Sequence, residues 1–364
     1  MDVILLTLSI ISGQLVKLPF GTYGGINLLD ISVIILCSLG VFRIGLKIRK
    51  PPLWIIASLS FIAVALLSLI FTPITLGLNE YFTSVAYAIR FSFYVFLGYL
   101  LYLNAFPNLK KNISNIFLLS ASILAAIGIV QIIFLPNLIF LTRYGWDPPY
   151  FRAVSTFLDP NFLGSFMVLS LILAKKRNLL FAFFYITLLL TFSRGAYLAF
   201  LVSFLTLSFF NRSIRMAKVT ILLFLLLLGG FFSHKNLVAI PRGIDRQQSA
   251  YSRLETWQQG FELFSKHPIL GVGFNAYRYA LKQHSLGDEI FYKSHGASTN
   301  DSSLLFVLST TGILGLLAYF FLIYSLIRVK KFELIAGLAG LLVQSFFANT
   351  LFYPPLLLWI VLMI

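Results

Sequence analysis

The stretch Arg253 to Gly312, RLETWQQGFELFSKHPILGVGFNAYRYALKQHSLGDEIFYKSHGASTNDSSLLFVLSTTG, is the only long polar interval in a chain that is otherwise close to continuous hydrocarbon. All four histidines (His234, His267, His284 and His295) lie within it or shortly before it. Apolar runs on either side make this interval an external loop of a membrane protein, and the loop is where polar chemistry is expected.

Composition leads to the same class. The 364 residues are 59% apolar, include 38 Phe and are only 11% charged. A water-soluble globule of this make-up would expose more hydrocarbon than solubility tolerates. Spans recur along the whole sequence, so residues 1–364 are expected to form a single transmembrane domain without a separate soluble core. The one cysteine, Cys37, lies inside an apolar run and excludes an intramolecular disulfide. The first apolar run lacks a basic flank and reads as an ordinary first span, not as a cleavable signal.

Runs of about the length needed to cross a bilayer occur at residues 3–20, 27–42, 53–72, 81–103, 114–138, 159–174, 179–193, 195–210, 219–233, 302–327, 334–350 and 353–364. The expectation is an all-α polytopic membrane protein of about twelve transmembrane helices, with one large extracytoplasmic loop at 234–301 between spans nine and ten. In a soluble protein the net charge of +16 would suggest nucleic acid, but here its placement argues otherwise. Five short connections, around Arg43–Lys50, Lys110–Lys111, Lys175–Arg177, Arg212–Lys218 and Arg328–Lys331, hold 15 of the 28 basic residues. They fall in every second gap, as the positive-inside rule requires for a cytoplasmic N-terminus. The motif FYPP (Phe352 to Pro355) leaves open a re-entrant turn in place of the last pair of spans.

The long loop carries eight basic residues (Lys235, Arg242, Arg246, Arg253, Lys266, Arg278, Lys282, Lys293) against six acids (Asp245, Glu255, Glu262, Asp288, Glu289, Asp301). Long loops escape the charge rule, so this excess fits either a solvated surface or a bound anion. Leu254, Trp257, Phe261 and Phe264 recur at helical spacing and predict an amphipathic helix over 253–265. Pro268, Gly271 and Gly273 then force a turn. Three further arginines need explanation. Arg90 sits inside a span, where a charge costs about 2.5–3.5 kcal/mol on insertion scales, and it should face the bundle interior beside an anion. Arg194 lies between two short spans, and Arg152 lies in a medium outer loop followed by Asp159, Pro160 and Asn161. A lone interfacial arginine usually snorkels to headgroups, whereas several aimed at one side suit a pyrophosphate clamp, because guanidinium forks pair with phosphate oxygens.

RAVSTFLDPNFLGSF (Arg152 to Phe166), TFSRGAYLAF (Thr191 to Phe200), RLETWQQGFELFSKHPILGVGFNAYR (Arg253 to Arg278) and LLFVLSTTGILGLLAY (Leu304 to Tyr319) together resemble the O-antigen polymerase/ligase superfamily of bacterial envelope glycan assembly. The resemblance covers about residues 150–325. It implies a multi-pass protein of the bacterial inner membrane whose periplasmic loop carries the site. Its members take a polyprenyl (undecaprenyl) pyrophosphate-linked glycan as donor and a hydroxyl on a glycan or lipid as acceptor, without nucleotide sugar, cofactor or metal. Other envelope polysaccharide assembly proteins and membrane lipids are the implied partners. By motif, Arg194 and Arg253 match the family's essential arginines, and Arg152 and Asn161 match a further polar signature. Arg90, Arg278, Trp257 and Tyr277 complete the expected substrate-binding set. Trp146, Tyr150 and Tyr279 are further aromatics suited to sugar faces or to an interfacial belt.

The chain departs from the family at one place. A His-Asn pair is usual about eleven residues before the Gly of the GILG-type motif, and counting back from Gly312 reaches Asp301 and Ser302. His295 is six residues further upstream. Either Asp301 or His295 is therefore the candidate base, and Asp301 is equally suited to cap the following helix. The reaction implied is displacement at the anomeric carbon, with transfer to another lipid-linked glycan (polymerase) or to lipid A core or another surface acceptor (ligase). A lipid-linked glycan flippase is the reading from a different class, but it would show paired halves with broken helices, and no internal repeat is evident.

Overall fold

The computed structural model describes residues 2–20, 24–45, 49–144, 150–237 and 246–364. Among the described residues the protein is helical apart from one two-stranded hairpin and an isolated bridge between Asn137 and Tyr150. Helix α1 (Asp2–Ser12) leads into an antiparallel hairpin, β1 (Lys17–Phe20) and β2 (Gly24–Asn27), in which Lys17 faces Asn27 and Phe20 faces Gly24. Then come α2 (Leu28–Ile44), α3 (Leu53–Ile70), α4 (Leu78–Tyr102) and α5 (Pro107–Phe134). A second group comprises α6 (Pro160–Ala174), α7 (Asn178–Thr191), α8 (Arg194–Phe210) and α9 (Ile214–Leu237). The polar interval folds as α10 (Arg246–Lys266), α11 (Tyr277–Gln283) and α12 (Glu289–Lys293), and α13 (Ser303–Ile327), α14 (Phe332–Gln344) and α15 (Pro354–Met363) complete the chain.

Each of the twelve apolar runs contains a helix, as expected of an all-α polytopic membrane protein. Among the described residues five helices, α3, α4, α5, α9 and α13, are long and apolar enough to cross a membrane. Six others, α1, α6, α7, α8, α14 and α15, are shorter apolar helices. The first run is not one span. Its helix stops at Ser12, because Gly13 turns with φ +53° and the residues that follow pair as a strand. The run at 334–350 also ends early, at Gln344, and residues 345–353 form turns before Pro354 starts α15.

A break in α13 ties the polar interval to the bundle. Gly312 adopts φ 65° and ψ −164°, which interrupts the helix after Thr311. The broken ends are closed by the Pro268–Gly273 turn. Val272 N donates to Ser309 O at 3.0 Å and Gly273 N to Thr310 O at 2.9 Å, while Ile313 N donates to Pro268 O at 2.9 Å. A span can tolerate irregular backbone only where protein satisfies the freed groups in this way. Both glycines at the crossing are required. A Cβ on Gly312 would collide with the backbone of Ile269, and one on Gly271 with the backbone of Thr310 and Ser309.

Candidate active site

The turn between α7 and α8 presents Arg194. Phe192 closes α7 in the left-handed region, and Ser193 caps α8 by accepting from Ala196 N at 3.3 Å. Ser193 Oγ in turn donates to Asn161 Oδ1 at 2.7 Å, and Asn161 stands at the start of α6, where Asp159 is the cap. Arg152 Nε donates to Thr191 O at 2.8 Å and its Nη2 to Phe192 O at 3.5 Å, so its fork grips the last carbonyls of α7, where a cation is favoured. His234 stacks on Phe192 at 3.8 Å and its Nε2 lies 3.1 Å from Phe151 O. Arg152 and Asn161 therefore brace the turn that carries Arg194.

Arg194 itself is exposed, with its guanidinium 5.8 Å from the Phe231 ring centre. The charge of Arg253 on α10, a like charge, acts on it. Among the described residues neither arginine makes an ion pair with a carboxylate. One helical turn along α10 from Arg253, Thr256 Oγ1 lies 2.9 Å from Arg253 O and 3.2 Å from Asp301 Oδ2, to which it donates. Asp301 is thus joined to the helix that carries Arg253. The cap of α13 is Ser302, whose hydroxyl accepts from Leu305 N at 3.4 Å. The capping role open to Asp301 in the sequence is filled by its neighbour.

Asn300 explains how the elements are held together. It has no exposed surface, and its Nδ2 donates to Tyr277 Oη at 2.9 Å and to Thr256 O, while Oδ1 accepts from Ser302 N at 2.9 Å. One side chain therefore pins α10, α11 and the start of α13 together. Tyr277 is equally buried, packs against Phe306 at 6.3 Å, and has its phenol pushed up by burial. Arg278 donates to Tyr292 O at 3.1 Å and Ser294 O at 2.8 Å, closing the loop around α12. Trp257 sits on α10 with its ring 6.4 Å from that of Phe347.

His295 has different surroundings from Asp301. Burial, then the charges of Lys17 and Arg278, push its pKa down to about 4, against a hydrogen bond involving the Tyr144 backbone that raises it. Arg90 has the anionic partner expected of a charge inside a span. Its Nη1 is 3.6 Å from Asp30 Oδ2, and its guanidinium lies over Tyr87 at 4.3 Å. Asp30 also accepts from Asn27 N at 3.0 Å and Tyr94 Oη at 2.9 Å. Trp146, Arg242 and Asp245 lie outside the described residues.

Sequence reasoning passed over Thr256 and Asn300. Asn300 carried a signal, being a polar residue directly beside Asp301 and ahead of an apolar helix. Thr256 carried none, because a lone threonine three residues from an arginine is unremarkable.

The site combines two cations of like charge with a carboxylate hydrogen-bonded to Thr256, one turn along α10 from Arg253, on elements locked by a buried amide. That arrangement suits an anionic leaving group next to a hydroxyl that must lose a proton. A search among curated proteins finds no match to the chain. The stretch that contains Arg194, Arg253, His295 and Asp301 is similar to a known family: residues 179–320 fit the family model described as O-antigen ligase.

Proposed function

We propose that the protein transfers a glycan from a polyprenyl-pyrophosphate donor to an acceptor hydroxyl, with its site on the extracytoplasmic side of the bacterial inner membrane. The observation that carries this reading is that the charge of Arg253 acts on Arg194, that among the described residues neither is ion-paired to a carboxylate, and that the helix carrying Arg253 is hydrogen-bonded to Asp301 through Thr256. Two guanidinium groups that act on one another repel, and a pyrophosphate relieves that repulsion with bidentate hydrogen bonds.

In the reaction the acceptor oxygen attacks the anomeric carbon, and the bond from that carbon to the pyrophosphate oxygen breaks. The pyrophosphate leaves with the electron pair, held by Arg194 and Arg253, whose fixed charge matches the charge that develops there. The acceptor's proton passes to Asp301. Arg152 and Asn161 act at one remove, through the turn that aims Arg194.

The acceptor is another lipid-linked glycan, which makes the enzyme a polymerase. A second reading, transfer to lipid A core or another surface acceptor, is favoured by the description of the matched family as O-antigen ligase. One experiment separates the readings. Purified protein is incubated with lipid-linked oligosaccharide alone and with added lipid A core. A ladder of longer lipid-linked products supports the polymerase, and a single addition dependent on lipid A core supports the ligase. No product in either reaction overturns the proposed chemistry.

A further inference from the structure

The end of α14 and the segment that follows it lie outside the matched stretch, yet they pack against the starts of α8 and α13 and against α10. On one side is Gly195, the neighbour of Arg194. It approaches so closely that a Cβ there would lie 3.4 Å from Gln344 Cγ and 3.6 Å from Phe347 Cβ. On the other side is Ser303, two residues after Asp301. Ser303 N donates to Ser345 O at 2.8 Å, and Leu351 N donates to Ser303 Oγ at 3.4 Å. Trp257, one turn from Arg253, has its ring against that of Phe347.

Three buried polar atoms at this junction lack a hydrogen-bond partner among the described residues: Oε1 of Gln344, Oδ1 of Asn349 and Nε1 of Trp257. Gln344 has no exposed surface, and its amide nitrogen is already committed, donating to Asn161 O at 2.9 Å. That bond fixes the direction of the free carbonyl. Buried polar atoms in folded proteins nearly always have partners, and exceptions call for a reason. Two acceptors and one donor, at the end of α14, on the segment after it and on α10, where these elements pack beside Gly195 and Ser303, match the pattern that sugar hydroxyls present.

We infer that Gln344, Asn349 and Trp257 form a hydroxyl-recognising wall for the sugar bonded to the donor's pyrophosphate. The inference rests on the proposed reaction, in which that ring must lie between the arginine pair holding the leaving group and the carboxylate facing the acceptor. The Gln344 and Asn349 carbonyls take hydrogen bonds from ring hydroxyls, and the Trp257 indole N–H donates to a ring or hydroxyl oxygen. A site built in this way discriminates against a sugar lacking the hydroxyl, because the buried acceptor is then left unpaired.

The test uses the full-length protein and lipid-linked donors that differ by one deoxy position on the sugar next to the pyrophosphate, with the acceptor unchanged. The wild type should favour the hydroxylated donor in kcat/KM by about tenfold or more at the recognised position. Asn349→Ala should bring that ratio close to one, whereas Asn349→Asp, which retains an acceptor oxygen, should keep most of it. Trp257→Phe preserves an aromatic ring on α10, so it gives a readable ratio even if the Asn349 variants fail to accumulate, and it too should flatten the preference. A purely structural role lowers kcat/KM for both donors in proportion, and an unchanged ratio in all variants overturns the inference alone. A preference that shifts only with deoxygenated acceptors overturns the assignment to the donor. If the wild type transfers nothing from any lipid-linked donor, the proposed reaction falls and takes this inference with it.

Discussion

Arg90 and the Arg194–Arg253 pair place the same side chain in opposite electrostatic settings. Arg90 lies 3.6 Å from Asp30, whose carboxylate also accepts from Tyr94 Oη and Asn27 N, so this charge is balanced within the fold and joins α4 to α2. Arg194 has Arg253 as its charged neighbour, and no carboxylate among the described residues pairs with either. A balanced ion inside the bundle is a structural joint, because removing one partner strands the other in low dielectric. An unbalanced cation pair at an exposed edge is unfavourable until an anion arrives, so its charge is available to a substrate. What separates a structural arginine from a functional one here is the identity of its neighbour, which residue type and depth in the span do not reveal.

The comparison can be broken first at the base. If the reaction centre is the neighbourhood of the unbalanced pair, Asp301→Asn should lower transfer by about 10²–10⁴-fold, the range for losing a general base, with donor binding retained. His295→Ala should keep most activity, since its charged neighbours are Lys17 and Arg278. Turnover measurements on both purified variants decide the matter. The reverse result would move the chemistry to the Lys17 and Arg278 side and leave the arginine pair without a catalytic partner.

The pair itself is tested next. Arg194→Lys and Arg253→Lys keep the charge and lose the fork, and each should cut kcat by about 10²-fold, the scale for removing one preorganised donor to a developing anion. Both proteins should insert and accumulate normally, because neither arginine holds an ion pair among the described residues. Near-normal turnover in either variant would remove that residue from the clamp.

Much of this was legible in the sequence, and the gaps have physical causes. Twelve apolar runs each hold a helix because hydrophobicity over such lengths has few other solutions in a bilayer. The amphipathic pattern over 253–265 and the stop at Pro268 appear as α10, which ends at Lys266. Period and polarity could not show that the first run would divide. Lys17 to Phe20 pairs with Gly24 to Asn27, and that pairing depends on a partner strand, not on local composition. Nor could they show that Gly312 breaks α13, since an isolated glycine in an apolar helix more often simply packs. The break becomes intelligible only when the Pro268–Gly273 turn is seen to satisfy the freed groups. Of the site, the sequence marked the arginines and Asp301 but not what joins them, because Thr256, Asn300 and Gln344 act through contacts across 44 residues or more.

The structural side of the comparison predicts a smaller effect of a different kind. Arg90→Met strands the Asp30 carboxylate, and the cost should be about 3 kcal/mol or less, the low end for breaking a buried pair given that Arg90 is partly accessible. The readout is a lower thermal midpoint and lower accumulation in the membrane, with transfer per folded molecule falling less than tenfold, far less than for the Arg194 and Arg253 variants. A loss of turnover as deep as theirs, in protein that folds normally, would place Arg90 in the substrate site and end the distinction.

The smallest effect concerns His295, which is neutral where the arginines are charged. Burial, followed by the cations Lys17 and Arg278, holds its folded pKa down to about 4, whereas an unfolded histidine titrates near 6.5. Between these values the unfolded chain binds a proton that the folded protein refuses, so stability falls as pH drops through the window and is fully present above it. The side chain is partly accessible, so the loss should be on the order of 1 kcal/mol after solvent screening. Thermal midpoints in detergent at pH about 7 and about 5 should separate for the wild type, and His295→Gln, which cannot titrate, should narrow that gap. An equal gap in both proteins would mean that His295 accepts its proton in the folded state despite Lys17 and Arg278. The loop would then hold a further cation able to face an anionic substrate, and the contrast between a neutral His295 and the charged Arg194 and Arg253 would be lost.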